Sequence, residues 1–168
     1  MTSKNCKCQY NVIAFAKDPL PPKAKVHCNN QTLKNNITLP SHYTDILTFE
    51  STFTVPTIIQ VNGAVTFHHT QGPVDTVGVV GLVIEVDGKM VSHGKSEYED
   101  TRFAPDLFTI TLPWCGELSV GKHTIKLKAR NYNAATNTVV VDPLSTVNAT
   151  ATDATRGAAF LSVLLFDL

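Results

Sequence analysis

Apolar and polar residues alternate with period two along most of this chain, and no stretch carries a helical period worth assigning. The clearest case is Lys122 to Arg130. There His123, Ile125, Leu127 and Ala129 fall on one face, and Lys122, Thr124, Lys126, Lys128 and Arg130 on the other. The closing stretch, Phe160 to Leu168, differs in being apolar on both faces: Phe160, Leu164, Phe166 and Leu168 surround Ser162 on one, and Leu161, Val163 and Leu165 precede Asp167 on the other. Such a strand does not survive at a wet edge. It is predicted to be a central strand, with neighbours on either side and apolar layers above and below.

Between these two patterns the punctuation predicts further strands. Ile46 to Val61 reads as a strand, Asn62-Gly63 as a two-residue hairpin turn, and Ala64 to His69 as the returning partner, which sets Val61 opposite Ala64 and Ile59 opposite Thr66. Pro56 marks an edge, a bend or a strand start. Val77 to Val86 is nearly all apolar, and its Gly78 and Gly81 suggest bulges or close packing against another backbone, including one across a subunit boundary. Asp87-Gly88 is a second hairpin turn leading to Lys89–His93, with Val86 opposite Lys89 and Ile84 opposite Val91. Gly94 to Asp106 reads as a charged surface loop, Leu107 to Leu112 as a strand ended by Pro113, Trp114-Cys115-Gly116 as a turn, and Asn137 to Val141 as a short strand.

The first 44 residues are less regular. Val12 to Ala16 is a short strand candidate, the prolines of Asp18 to Pro22 break it, and Asn29-Asn30 and Asn35-Asn36 read as turns around another short strand. This segment is either the first strand of the sheet plus a long connection, or an arm that docks on a neighbour. The predicted architecture is therefore all-β, an antiparallel β-sandwich of jelly-roll type over 45–168, with an irregular N-terminal arm over 1–44.

With 168 residues, 43% of them apolar, one domain can close a sizeable core. Fourteen basic and fourteen acidic residues cancel, so net charge predicts neither nucleic-acid nor membrane affinity. No segment is long and apolar enough for a membrane span, and the opening Met-Thr-Ser-Lys-Asn-Cys-Lys-Cys lacks the apolar core of a signal peptide, so the chain is expected to fold in a reducing cytosol. There Cys6, Cys8, Cys28 and Cys115 are plain thiols. The alternatives are a disulfide from Cys28 to Cys6 or Cys8, and a zinc site that would add His27, although the spacing matches no recurring finger. Sequons at Asn30, Asn36 and Asn148 matter only in a secreted eukaryotic protein.

The candidate binding residues are Lys122, Lys126, Lys128 and Arg130. On one strand face they form a row on positions that repeat roughly every 7 Å, a spacing suited to phosphates, sulfates or acidic sugars. The ordinary alternative is a solvated face protected against edge pairing. His68 and His69 are adjacent, point to opposite faces and cannot chelate one ion together. Glu97, Glu99, Asp100 and Asp106 could offer oxygens to calcium, but without EF-hand spacing. Trp114, Tyr98, Phe103 and Tyr132 are the aromatics available for stacking on a sugar. No nucleophile elbow, metalloprotease helix or phosphate loop is present, so the expectation is a protein that is not an enzyme and uses no metal or cofactor.

Four segments carry a resemblance. They are Phe53-Thr54-Val55-Pro56; Gly63-Ala64-Val65-Thr66-Phe67-His68-His69; Leu112 through Gly121-Lys122-His123-Thr124-Ile125-Lys126-Leu127; and Phe160-Leu161-Ser162-Val163-Leu164-Leu165-Phe166. Together they resemble the strand grammar of complement-C1q/tumour-necrosis-factor-like jelly rolls, and the trimeric heads of phage tail fibres and bacterial surface proteins built on that plan. The resemblance covers Asp45 to Leu168; a collagen stalk is lacking and the N-terminal arm lies outside the pattern. It implies a homotrimer on a virion surface, a fibre head or capsid decoration, that binds a host-surface glycan or receptor through its loops and other virion proteins through its arm. The alternatives are a carbohydrate-binding sandwich module and a secreted or cell-surface location.

Overall fold

The computed structural model describes residues 26–32, 37–71, 77–99, 107–141 and 159–167. Its strands are β1 (Val26–Thr32), β2 (Ile37–Thr38), β3 (Thr44–Phe53), β4 (Thr57–Gln71), β5 (Val77–Val86), β6 (Lys89–Glu99), β7 (Leu107–Leu118), β8 (Gly121–Asn131), β9 (Thr138–Val141) and β10 (Ala159–Asp167). Among the described residues there is no helix, hence none long and apolar enough to cross a membrane.

Setting aside the short β2 and β9, the remaining eight strands pair from the outside inward. The first pairs with the last (β1 with β10), the second with the seventh (β3 with β8), the third with the sixth (β4 with β7) and the fourth with the fifth (β5 with β6), all antiparallel. The chain is thus one long hairpin whose tip is the β5–β6 turn. Rolling that hairpin adds the pairings of β10 with β4 and β8 with β5, and so divides it into two sheets, β1-β10-β4-β7 and β3-β8-β5-β6. That connectivity is a jelly roll. Short β9 continues beside β4 beyond the end of β10, and β2 pairs with β9.

Alternation fixes which face of each strand meets the other sheet. On β8, Ile125, Leu127 and Ala129 are fully buried. On β10, Leu161 and Val163 are fully buried, and they join inward residues of both sheets in one core. The outward face of β10 is only partly covered: Leu164 is buried, Phe166 is half-buried and Phe160 is 41% exposed. The closing strand is therefore central within its sheet, paired with β1 and β4, as its sequence demands. It has the sandwich core on one side, and its other side is open at Phe160.

Several local expectations are corrected. Asn62-Gly63 is not a turn. It lies in the middle of β4, an unbroken strand of fifteen residues, where Asn62 faces Ser162 on one side and Pro113 on the other. The reason is packing between layers. A Cβ on Gly63 would stand 2.6 Å from Leu127 Cδ1 of the opposite sheet, so the glycine makes room for a core leucine. Pro56 ends the bend before β4, one of the positions expected for it.

Asp87-Gly88 is the expected hairpin turn, with φ of 50° and 80° as a primed turn requires. Val86 faces Lys89, but Ile84 faces Ser92 rather than Val91, because a bulge intervenes. Gly94 does not open a loop: β6 continues to Glu99 and buries Tyr98. Pro113 does not end β7, nor do Trp114–Gly116 turn the chain, since β7 pairs with β4 alone and an edge strand tolerates proline. Asn29 and Asn30 lie within β1, paired to Val163 and Ser162, so the sheet already takes a strand from the segment before Asp45. Val12 to Ala16, Asn35-Asn36, Cys6 and Cys8 fall outside the described residues.

Candidate functional site

The strand β8 lays Lys122, Lys126, Lys128 and Arg130 along the outer face of the β3-β8-β5-β6 sheet, as its alternation requires. Flanking strands set a carboxylate beside each lysine. Lys122 lies 2.9 Å from Glu50, Lys126 2.6 Å from Asp45, and Lys128 3.1 Å from Glu85 and 3.7 Å from Asp45. The carboxylate bound to Lys126 holds its ammonium above its ordinary pKa. Three lysines are thereby matched by three acids, and this part of the row holds the strands together as a charge ladder of modest individual strength.

Arg130, at the end of the row, has different company. Among the described residues no carboxylate pairs with it. Its guanidinium carbon sits 3.4 Å from the ring centroid of Tyr132 and 5.3 Å from that of Tyr43, and Lys95 Nζ lies 4.8 Å from the Tyr132 centroid. The floor beneath is Gly81, which faces Arg130 on β8 and Lys95 on β6. A Cβ there would lie 2.8 Å from the Tyr43 hydroxyl and 3.0 Å from the Tyr132 ring. The glycine in the apolar run of β5 thus admits two aromatic rings of its own chain rather than a neighbouring backbone. Arg130 Nε is enclosed without a hydrogen-bond partner, a shortfall worth about 1–3 kcal/mol in a buried donor.

The two phenols lie 3.4 Å apart, oxygen to oxygen. Burial, the shared hydrogen bond and Tyr132 itself push Tyr43 up to about 12. Tyr132 moves the other way, because the Tyr43 hydrogen bond and the nearby cations Arg130 and Lys95 favour its anion. Tyr132 is therefore the first of the pair to ionise.

Asn131 positions this group and is fully buried. Its amide nitrogen donates to Pro40 O at 2.9 Å, which fixes the crossing segment that delivers Tyr43. Its Nδ2 donates to Asn137 O at 2.7 Å, and its Oδ1 accepts from the Asn133 amide at 3.0 Å and the Tyr98 hydroxyl at 3.4 Å. Asn133 Oδ1 in turn accepts from the Val79 amide at 2.9 Å, and the Tyr132 amide donates to Val79 O at 2.9 Å.

The remaining sequence candidates scatter. His123 lies on the opposite face of β8 from the lysines, stacked on Phe53 at 5.7 Å. Its Nδ1 contacts Asp87 Oδ2 at 2.6 Å and its Nε2 contacts Ser119 O at 2.9 Å. His68 Nε2 is buried without a hydrogen-bond partner. Tyr98 is core, and Trp114 packs against the core, half-buried. Glu97 is an exposed strand residue, while Asp100, Phe103 and Asp106 lie outside the described residues, as do the side chains of Glu99 and Cys28. Cys115 is free and exposed. Among the described residues no group of three or more His, Cys, Asp or Glu side chains is placed to hold a metal ion.

Tyr43 and Lys95 escaped the sequence reading because they sit in stretches read as arm and loop. The one available signal was Gly81, an outward-facing glycine in a run of β-branched residues.

No family model and no curated protein matches the chain. Among solved structures it is similar to a chain of the infectious bursal disease virus Gx strain, with a TM-score of 0.36 and 9% identity over 92% of this chain. The chain spans 40% of the length of that protein.

Proposed function

We propose that the chain is a non-enzymatic structural and receptor-binding protein of a virion surface, a fibre head or capsid decoration, acting as a homotrimer. The observation that carries the reading is a rolled-hairpin jelly roll, an architecture used by viral capsid and lectin domains, with a sheet left apolar on its outer side at Phe160 and Phe166. One face of β10 fills the sandwich; the other meets a second copy. The plan resembled by the sequence, that of complement-C1q/tumour-necrosis-factor-like heads, supplies the threefold symmetry of the proposal. The segment before β1 is the attachment to other virion proteins.

The Asp87–His123 pair has the makings of a general base, but both imidazole nitrogens are engaged, the second by a backbone carbonyl. Sedimentation of the full chain tests assembly. The expected result is a trimer that a Phe160→Asp substitution dissociates; a strictly monomeric particle at high concentration overturns it.

A second reading, a secreted or cell-surface carbohydrate-binding sandwich module, is favoured by Tyr43 and Tyr132 on the outer sheet face. Such a module needs no trimer, so the same sedimentation experiment separates the two.

A further inference from the structure

We infer that the group formed by Tyr43, Tyr132, Arg130 and Lys95 over Gly81 is a binding site for an acidic saccharide, one bearing a carboxylate or a sulfate on a sugar ring. The lysine row beside it is not the site. This presupposes that the chain is a binding protein rather than an enzyme.

Three observations converge. First, charge is compensated along the lysine row and not here: Lys122, Lys126 and Lys128 each have a carboxylate within 4 Å, whereas among the described residues Arg130 and Lys95 have none and lie against aromatic rings. An anion arriving here displaces no carboxylate of the described residues. Second, the guanidinium packs against the Tyr132 ring, which covers a face and leaves the in-plane donors other than the enclosed Nε for a planar carboxylate or a sulfate. Third, the site combines those cations with two phenols, whose rings offer apolar surface to the C–H face of a sugar and whose hydroxyls exchange hydrogen bonds with its own hydroxyls. A bare phosphate or sulfate would use only the cations.

The floor explains why the group can exist. The side chains of Arg130 and Lys95 flank β5 from both sides, and any side chain at Gly81 would strike the tyrosines between them. Asn131 then locks the two segments that carry the rings, so the site is built before a ligand arrives.

The experiment is a titration of the isotope-labelled full chain, monitored at the Gly81, Lys95 and Arg130 amides. Glucuronic acid, N-acetylneuraminic acid, glucosamine 6-sulfate, neutral galactose and inorganic sulfate are added in turn. The expected result is saturable shifts at these amides with at least one acidic sugar, and binding about tenfold weaker or more for galactose and for inorganic sulfate. Arg130→Gln and Tyr132→Ala should each weaken the acidic sugar about tenfold, the size of one charge-assisted hydrogen bond, while Lys126→Gln leaves it unchanged. The spectrum of each variant shows whether it is folded, and Lys95→Gln, on a separate strand, provides a fourth variant if Arg130→Gln is not. Equal affinity for galactose, equal affinity for inorganic sulfate, or no shift at these amides with any acidic sugar overturns the assignment. A trimeric mass with no sugar bound removes the ligand class and spares the proposed head; a monomer that binds does the reverse.

Discussion

Asp87 grips His123 across the strand gap, its Oδ2 2.6 Å from the imidazole Nδ1, while its Oδ1 accepts from the Thr124 amide at 2.8 Å. The tip of the rolled hairpin is thereby pinned to the start of β8, the strand that lies beside it only after rolling. The other imidazole nitrogen meets Ser119 O. Two acceptors on two nitrogens call for the doubly protonated ring.

A pH dependence follows, with a definite sign. The hydrogen bond that its imidazole donates to Asp87 holds His123 above its ordinary 6.5. Partial burial works against ionisation of Asp87, but the Thr124 amide and His123 outweigh it and hold the acid below its ordinary 3.8. The histidine contribution is therefore complete below 6.5 and fades as pH rises through the raised folded value. The aspartate contribution is complete above 3.8 and fades as pH falls through the lowered one. Melting temperature measured from mildly acid to alkaline pH should decline above neutrality in the native chain, and the decline should flatten in His123→Gln. With Asp87 45% exposed, solvent screening keeps the loss small, about 1 kcal/mol or less.

Gly63 tests the packing between the sheets. Gly63→Ala pushes a methyl group toward Leu127 and should destabilise the fold by about 1–3 kcal/mol in denaturant unfolding, the range for an overfilled core. A turn at Asn62-Gly63 would instead put that methyl in solvent. The double variant Gly63→Ala with Leu127→Val should recover part of the loss, which distinguishes crowding from a backbone effect.

The same residue shows where sequence reasoning succeeds and where it stops. The alternation of β8, the doubly apolar β10 and the Asp87-Gly88 turn were legible because each reports its own local geometry. Asn62-Gly63 was not, because a glycine needed for a turn and a glycine needed for a leucine far along the chain, Leu127, look alike in one dimension. Pro113 likewise reads as a strand end until β7 is known to be an edge. In the candidate site Arg130 and Tyr132 were singled out, the first for charge and the second for stacking. Their convergence with Tyr43 and Lys95 depends on pairings among β5, β6 and β8 that no local pattern encodes.

Asn131 and Asn137, six residues apart, should respond oppositely to substitution. Asn131→Ala keeps the backbone bond to Pro40 but removes the side-chain bonds to the Asn137 carbonyl, the Asn133 amide and the Tyr98 hydroxyl; leaving the first two unmatched should cost about 2–3 kcal/mol or more. The Asn137 side chain is buried with both amide atoms unpartnered among the described residues. Asn137→Leu, which replaces it with an apolar group of similar shape, should be neutral or stabilising by about 1 kcal/mol. Paired thermal denaturation curves check both.

The lysine ladder should matter for salt response rather than for ligand. Replacing Asp45 with Asn removes the acid shared by Lys126 and Lys128 and leaves two lysines on adjacent outward positions of β8 without it. Salt should then stabilise the variant more than the native chain, because screening relieves like-charge repulsion. Melting temperatures at low and high ionic strength measure the difference.

The proposed trimer and the proposed acidic-sugar site make one joint demand, which a comparison of free and surface-bound ligand puts to the test. Binding of the full chain to a surface densely coated with the preferred acidic sugar should exceed its affinity for the same sugar free in solution by about 100-fold or more, the usual gain from several linked sites. Phe160→Asp should abolish the gain without changing the solution affinity. Equal affinity for the coated surface and the free sugar would contradict a protein that works by joining weak sites on one assembled head.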